Sequence, residues 1–81
     1  MATIPDPDYR ALGVEVARLR AARGWSLDRL AAESGVSRKS VINVEAGRHV
    51  VRVPTLHSLA HSLGVPLSDL ISTLCAKHGT D

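Results

Sequence analysis

Four side chains between positions 38 and 43 carry groups suited to the edges of base pairs. They are Arg38, Lys39, Ile42 and Asn43. Arginine and lysine donate to the two acceptors of guanine, asparagine pairs with adenine through two hydrogen bonds, and isoleucine packs on the methyl group of thymine. Two other interpretations stay open here. Arg38 and Lys39 could be ordinary solvated charges, and a small rotation of the helix would bury Ile42 in the core.

The positive charge of the chain is concentrated around these residues. Residues 18–52 hold eight basic and three acidic side chains, a balance of +5, whereas the rest of the chain balances at −3. A local excess of this kind is typical of a protein with a polyanionic partner, although a solvated charged surface has the same composition.

Five short helices are expected to position these side chains. The predicted starts are Asp8, Ser26, Ser37, Pro54 and Pro66, and the predicted stops are Gly24, Gly35, Gly47, Gly64 and Gly79. Between them, apolar residues recur at intervals of three and four, which places them on one helical face that is expected to be buried. In the fifth helix these residues are Leu67, Leu70, Ile71 and Leu74. Residues 49–53 have a strand-like composition but no strand to pair with, so we interpret them as a loop.

The fold class is therefore all-α, a compact five-helix domain. We expect a flexible N-terminal lead-in at residues 1–8, the helical domain at residues 9–78 and a C-terminal tail at residues 79–81. An 81-residue chain with no Phe must build its one core from Leu, Val, Ile and Ala.

The second and third predicted helices form a helix-turn-helix unit. Ser26 and Ser37 are good N-caps, and the turn between the helices is Gly35-Val36-Ser37. Gly35 can adopt a positive φ, and Val36 fills the gap between the two helices. The third helix would then stand away from the body of the domain, so that its first turn could enter a major groove.

Other kinds of site have weaker support. His57 and His61 lie four residues apart but lack further metal ligands nearby, so we expect neither a metal nor a cofactor. Cys75 and His78 lie three apart, but so small an interior leaves little room for an active-site pocket, so we do not expect an enzyme. Trp25 fits a hydrophobic staple over the second helix better than a stacking platform.

The location of the protein is predicted from what the sequence lacks. No stretch approaches the roughly 20 apolar residues that would span a membrane. The single cysteine, Cys75, agrees with a reducing compartment. We therefore expect a cytoplasmic protein that makes no membrane contact.

Two stretches of the chain resemble the lambda-repressor-like helix-turn-helix family, which includes Cro/C1 and Xre-type proteins. They are RLRAARGWSLDRLAAESGVSRKSVINVEAGR and TLHSLAHSLGVPLSDL, and the resemblance covers most of residues 10–72. It implies that the third helix reads DNA through Arg38, Lys39 and Asn43. The order of the motifs makes the resemblance more specific than any one of them.

The resemblance also implies residues that position the third helix on DNA. Arg20 and Glu45 match the family's ion pair between the first helix and the end of the third, which is expected to orient the reading helix without contacting DNA. Ser37, which caps the reading helix, and Ser40 are expected to contact the DNA backbone.

The chain departs from the family pattern at three places. Leu27 stands where many members have a glutamine that contacts the backbone, Ala46 replaces a common asparagine, and Val50-Val51-Arg52 replaces Asn-Pro-Ser. Backbone contacts are therefore expected to rest on nearby basic residues, with help from exposed amides at helix starts. These residues are Arg18, Arg23, Arg48 and Arg52.

Double-stranded DNA is the expected partner, bound by a homodimer, because one module of this size makes too few contacts for high specificity. Leu74 and Cys75 form either a dimer seam or the end of the core. The expected function is transcriptional regulation, with repression favoured over activation. The alternative is a protein-interaction module, such as an antitoxin, that binds its partner through residues 49–53; buried packing of those residues against helix four is the simpler explanation.

Overall fold

The chain folds as a succession of short helices. The computed structural model describes residues 6–48 and 50–78, with side chains described as far as Cys75. The α-helices are α1 (Tyr9–Ala22), α2 (Leu27–Ser34), α3 (Arg38–Glu45), α4 (Val53–Leu63) and α5 (Leu67–Ile71). The residues described contain no strand, and the predicted all-α, five-helix fold is confirmed. The predictions for residues 1–5, His49 and residues 79–81 lie outside the described residues.

Side-chain caps begin the first three helices where the sequence predicted helix starts. The side chain of Asp8 accepts a hydrogen bond from the amide of Ala11 at 3.0 Å. Ser26 and Ser37 do the same for α2 and α3, since their hydroxyl oxygens accept from backbone amides three residues later at 3.0 and 3.1 Å. Each cap satisfies an amide that has no partner within the helix.

The last two helices differ from their predicted bounds. α4 begins at Val53, inside the predicted loop, and Pro54 occupies its first turn. α5 is only five residues long and continues as a 3-10 helix, Ser72–His78. The hydroxyls of Ser72 and Thr73 donate to carbonyl oxygens three residues earlier at 3.1 and 2.6 Å, and such bonds compete with regular α-helical pairing. Gly79, the predicted stop, lies outside the described residues.

Aliphatic side chains from all five α-helices form the core. They are Leu12, Val16, Leu30, Val41, Val44, Leu56, Leu59, Ala60, Leu63 and Leu70. Trp25 is half-buried at the edge of this cluster, and the guanidinium groups of Arg23 and Arg29 lie 5.0 and 5.2 Å from its ring centroid. None of the helices in the described part of the chain is long and apolar enough to cross a membrane.

Candidate nucleic-acid interface

A tight turn joins α2 to α3 and sets the angle between them. Gly35 has φ +75° and ψ 8°, a left-handed conformation that favours glycine, and its amide donates to the carbonyl of Ala31 at 2.9 Å. Val36 then packs against the core, and its amide donates to the hydroxyl of Ser34 at 3.2 Å. The turn therefore has the geometry that the Gly35-Val36-Ser37 sequence predicted.

α3 has one buried face and one exposed face. Val41 and Val44 are buried and attach the helix to the core. Lys39 is exposed, and Asn43, one turn later on the same face, is half-buried. Ile42 is half-buried and lies outside the hydrophobic core cluster. The first two turns of α3 therefore present polar and basic groups at the surface.

Arg38 is exposed at the start of α3, but it is not isolated. Its Nε lies 2.7 Å from Oδ1 of Asp28 in the first turn of α2. The side chains of Arg38 and Asp28 keep 60% and 77% of their accessible surface, so this ion pair lies in solvent. Sequence reasoning missed the pair because its partners are ten residues apart, on different helices.

A cleft of about 180 Å³ lies between α3 and the start of α4. Polar side chains on its walls include Ser40, Asn43, Arg48, Arg52 and Thr55. None of the described residues that line it is acidic, so the two guanidinium groups give it a positive potential. The amides at the start of α4 have no side-chain cap there, which adds donors for an anion to the same region.

Two polar residues, Ser40 and Asn43, lie on α3 and also line the cleft. The hydroxyl of Ser40 lies 2.9 Å from that of Ser37, which caps α3. The structure brings together the exposed face of α3, both serines, Arg48 and Arg52.

Two of the predicted backbone-contacting arginines lie elsewhere. Arg18 donates to Glu15 at 2.9 and 2.7 Å, hydrogen bonds that lower the pKa of that carboxyl. Arg18 lies two residues before Arg20 on α1, so the two side chains leave the helix about 200° apart. Arg20 is the one that reaches α3. Arg23 extends to Gly64 at the far end of α4, about 16 Å along the helix from its first turn.

An ion pair holds the end of α3 on α1. Arg20 donates to both oxygens of Glu45, from Nε at 2.7 Å and from one terminal nitrogen at 3.0 Å. Its other terminal nitrogen donates to the carbonyl of Trp25 at 2.9 Å. These side chains keep 21% and 12% of their surface, and the hydrogen bonds to Glu45 raise the pKa of Arg20. The ion pair implied by the resemblance is present.

Gly13 is a positioning residue that sequence reasoning missed. It is buried in α1, and a Cβ placed on it would lie 2.5 Å from the carbonyl oxygens of both Val44 and Glu45. α3 can therefore approach α1 this closely only because position 13 has no side chain. The sequence feature that could have indicated this role is a glycine in the middle of a predicted helix, where glycine is otherwise destabilising.

Three residues of α5 and the following 3-10 helix, Ile71, Leu74 and Cys75, differ in how far they are buried. Leu74 is half-buried and packs against the core, Cys75 is exposed, and Ile71 is 41% exposed. Ile71 was predicted to belong to the buried stripe of helix five. That assignment was wrong because Leu70 occupies the inward position of a helix only five residues long.

The connector before α4 is only partly packed. Val51 contacts the core, but Val50 and Val53 keep 77% and 62% of their surface. The simpler expectation, that the whole connector is buried against α4, was therefore wrong for these two valines. Leu27, by contrast, packs against the core instead of making the polar contact common in the resembled family.

The histidines on α4 do not assemble a fuller ligand set. His57 and His61 are exposed, with ring centroids 6.4 Å apart and nearly parallel planes. Within the described residues, no group of three or more potential metal ligands comes together. The side chain of His78 lies outside them.

A core-anchored α3, a tight Gly35 turn and a basic cleft beside α3 define a helix-turn-helix module. The family model described as a helix-turn-helix domain matches residues 11–72, and the chain belongs to this family. The resemblance to lambda-repressor-like, Xre-type proteins is thereby confirmed.

Known regulators share this module. The chain is 41% identical over 63 residues to the HTH-type transcriptional regulator SutR of Escherichia coli K12, a match that covers 78% of this chain and 35% of SutR. It is 38% identical over 66 residues to the uncharacterized HTH-type transcriptional regulator y4dJ of Sinorhizobium fredii, covering 80% of this chain and 86% of y4dJ.

A solved structure has the same arrangement of helices. The restriction-modification controller protein C.AhdI from Aeromonas hydrophila superposes with a TM-score of 0.74 and 33% identity. The superposition covers 78% of this chain and 96% of C.AhdI. Nearly the whole of that regulator therefore corresponds to the five-helix domain described above.

Proposed function

We propose that the chain binds double-stranded DNA at specific sequences and acts as a transcriptional regulator that represses by occupying its site. The observation that carries this proposal is the position of the basic cleft beside the exposed face of α3, with Asn43 belonging to both. The similarity to the transcriptional regulators SutR and y4dJ and to the controller protein C.AhdI supports the same class of activity. The proposal places the protein in the cytoplasm and assigns it neither a catalytic activity nor a cofactor.

The two parts of the surface have different roles in this proposal. α3 lies in the major groove, where Arg38, Lys39 and Asn43 contact base edges and Ile42 meets a thymine methyl at the margin. The cleft holds a phosphate between Arg48 and Arg52, close to the start of α4. The serines Ser37 and Ser40 contribute hydroxyls to the backbone contact.

Two of the predicted backbone contacts are left out of the proposed surface. Arg18 is paired with Glu15 on another side of α1, and Arg23 lies over Trp25 and Gly64. Neither arginine lies beside the cleft that contains Arg48 and Arg52.

Selection of bound sites from random DNA tests the proposal. We expect a two-fold symmetric site, because a dimer places two reading helices about one DNA turn apart. Binding to that site should weaken with salt: one phosphate held in the cleft of each protomer gives a dimer a slope of log K against log salt of about −2, and any further phosphate contact makes the slope steeper. No enrichment of any sequence, or a nearly flat salt dependence, would contradict specific DNA binding.

Ile71 is the residue we propose as the centre of the dimer contact, with Leu74 and Cys75 beside it. Ile71→Asp should raise the dimer dissociation constant at least about tenfold, because a two-fold interface buries two copies of the substituted side chain. Sedimentation velocity over a concentration series measures this change.

Val14→Asp is the matched control, since Val14 is another exposed aliphatic residue, at 61% of its surface, on α1. It should leave the dimer unaffected. Equal dissociation constants for the wild-type protein and Ile71→Asp, with both folded by circular dichroism, would remove Ile71 from the interface.

A further inference from the structure

The pair between Asp28 and Arg38 crosses the turn of the helix-turn-helix unit. Oδ1 of Asp28, in the first turn of α2, lies 2.7 Å from Nε of Arg38, the first residue of α3. Both side chains are more than half exposed, and such pairs contribute little to folding stability. The main effect of the pair between Asp28 and Arg38 is therefore to fix the position of the Arg38 guanidinium.

The contact is made at one particular nitrogen of Arg38. Nε lies next to the aliphatic stem, so the two terminal amino groups of the guanidinium remain for another acceptor. Those two groups form a planar fork that matches the O6 and N7 acceptors of guanine. An arginine whose stem is held on one side samples fewer orientations and loses less entropy when it makes that contact.

Holding Arg38 in place favours its contact with guanine, whereas the negative charge of Asp28 lowers the overall affinity for DNA. A carboxylate near the DNA repels phosphates, so it lowers the affinity for every sequence. When DNA covers the pair and removes its water, the carboxylate also needs Arg38 as its partner. If the base facing Arg38 were not a guanine, Arg38 would have to turn away from Asp28 to reach another acceptor, and Asp28 would be left unpaired.

We propose that Asp28 is a specificity-determining positioning residue, which holds Arg38 for end-on contact with a guanine and penalises other bases at that position. This inference rests on the proposed function, since Asp28 acts through Arg38, which the proposed function places against a base. It predicts that removing the charge of Asp28 raises affinity for random DNA and lowers discrimination at one base pair.

Asp28→Asn tests the inference, with Glu33→Gln as the matched control. Glu33 is also on α2, pairs with Arg29 at 2.8 Å and is 42% exposed, so both substitutions remove one carboxylate charge from a surface ion pair. Affinities are measured by fluorescence anisotropy for the selected site, for each single-base variant of it and for random duplex. Thermal unfolding by circular dichroism shows that each variant is folded.

We expect Asp28→Asn to reduce discrimination at the base pair read by Arg38 by about threefold to fivefold, and Glu33→Gln to leave it unchanged. In an Arg38→Ala background, Asp28→Asn should have no further effect on that preference. Unchanged discrimination in Asp28→Asn, or an equal loss in Glu33→Gln, would overturn the role of Asp28 while leaving the proposed function intact. A wild-type protein without any base preference would overturn both.

Discussion

Gly13→Ala is expected to destabilise the fold by about 3 kcal/mol. The added Cβ would lie 2.5 Å from two carbonyl oxygens, those of Val44 and Glu45. Both belong to the backbone of α3, so no side-chain rotation relieves the contact, and α3 must move away from α1. Urea unfolding followed by circular dichroism measures the change in free energy.

The close contact and helix propensity predict opposite signs for the effect of Gly13→Ala on stability. Helix propensity alone predicts that alanine in place of a helical glycine stabilises by about 1 kcal/mol. Gly24→Ala is the control: Gly24 has φ +69°, but nothing lies within 4 Å of a Cβ there. It should cost only the strain of the left-handed conformation, about 1 kcal/mol. A Gly13→Ala protein as stable as the wild type would show that α1 and α3 are not in this close contact.

Glu45→Ala should have the second largest effect, a loss of about 2 kcal/mol in the free energy of unfolding. The substitution removes two hydrogen bonds from Arg20, which keeps only 21% of its side-chain surface and is left without its carboxylate partner. The cost is below that for a fully buried pair because solvent still reaches Arg20. Urea unfolding again supplies the measurement.

Glu33→Ala is the matched control for the ion pair. Its partner Arg29 is 56% exposed, and a pair of this kind within one helix contributes about 0.5 kcal/mol or less. Replacing Arg20 by Met in the Glu45→Ala background should restore part of the lost stability, since no unpaired charge then remains. Similar losses for Glu45→Ala and Glu33→Ala would contradict a special role for the pair between α1 and α3.

The local features of this fold could be predicted from sequence because they depend on neighbours along the chain. Ser26 and Ser37 cap amides three residues away, and Gly35 supplies the positive φ that its own turn requires. The buried leucines of α4 follow from helical periodicity. The pair of Arg20 and Glu45 joins distant residues, and it was found only through the family resemblance.

Features that depend on how the helices pack were beyond the sequence pattern. Gly13 contacts residues more than 30 positions away, so its sequence context shows only a weak helix former. The approach of Asp28 to Arg38 depends on the angle between α2 and α3. Ile71 matched the apolar stripe, but its exposure depended on where α5 gives way to the 3-10 helix.

Which basic residues share a surface was likewise set by packing. All four candidate arginines lie in the cationic segment, yet only Arg48 and Arg52 line the cleft beside α3. Arg18 and Arg23 have partners on other sides of the domain. Charge counting located the cationic part of the chain but could not divide it among faces.

The central claim is that α3 reads bases while the cleft holds the DNA backbone, and one comparison tests it most directly. Arg38→Ala and Arg52→Ala are titrated against the selected site and every single-base variant of it, at several salt concentrations. Arg38→Ala should lose about 1 to 3 kcal/mol of preference at one base position. Arg52→Ala should weaken binding to all sequences about equally and make the salt dependence shallower. If the two variants changed binding in the same way at every position, α3 would not be the reading helix.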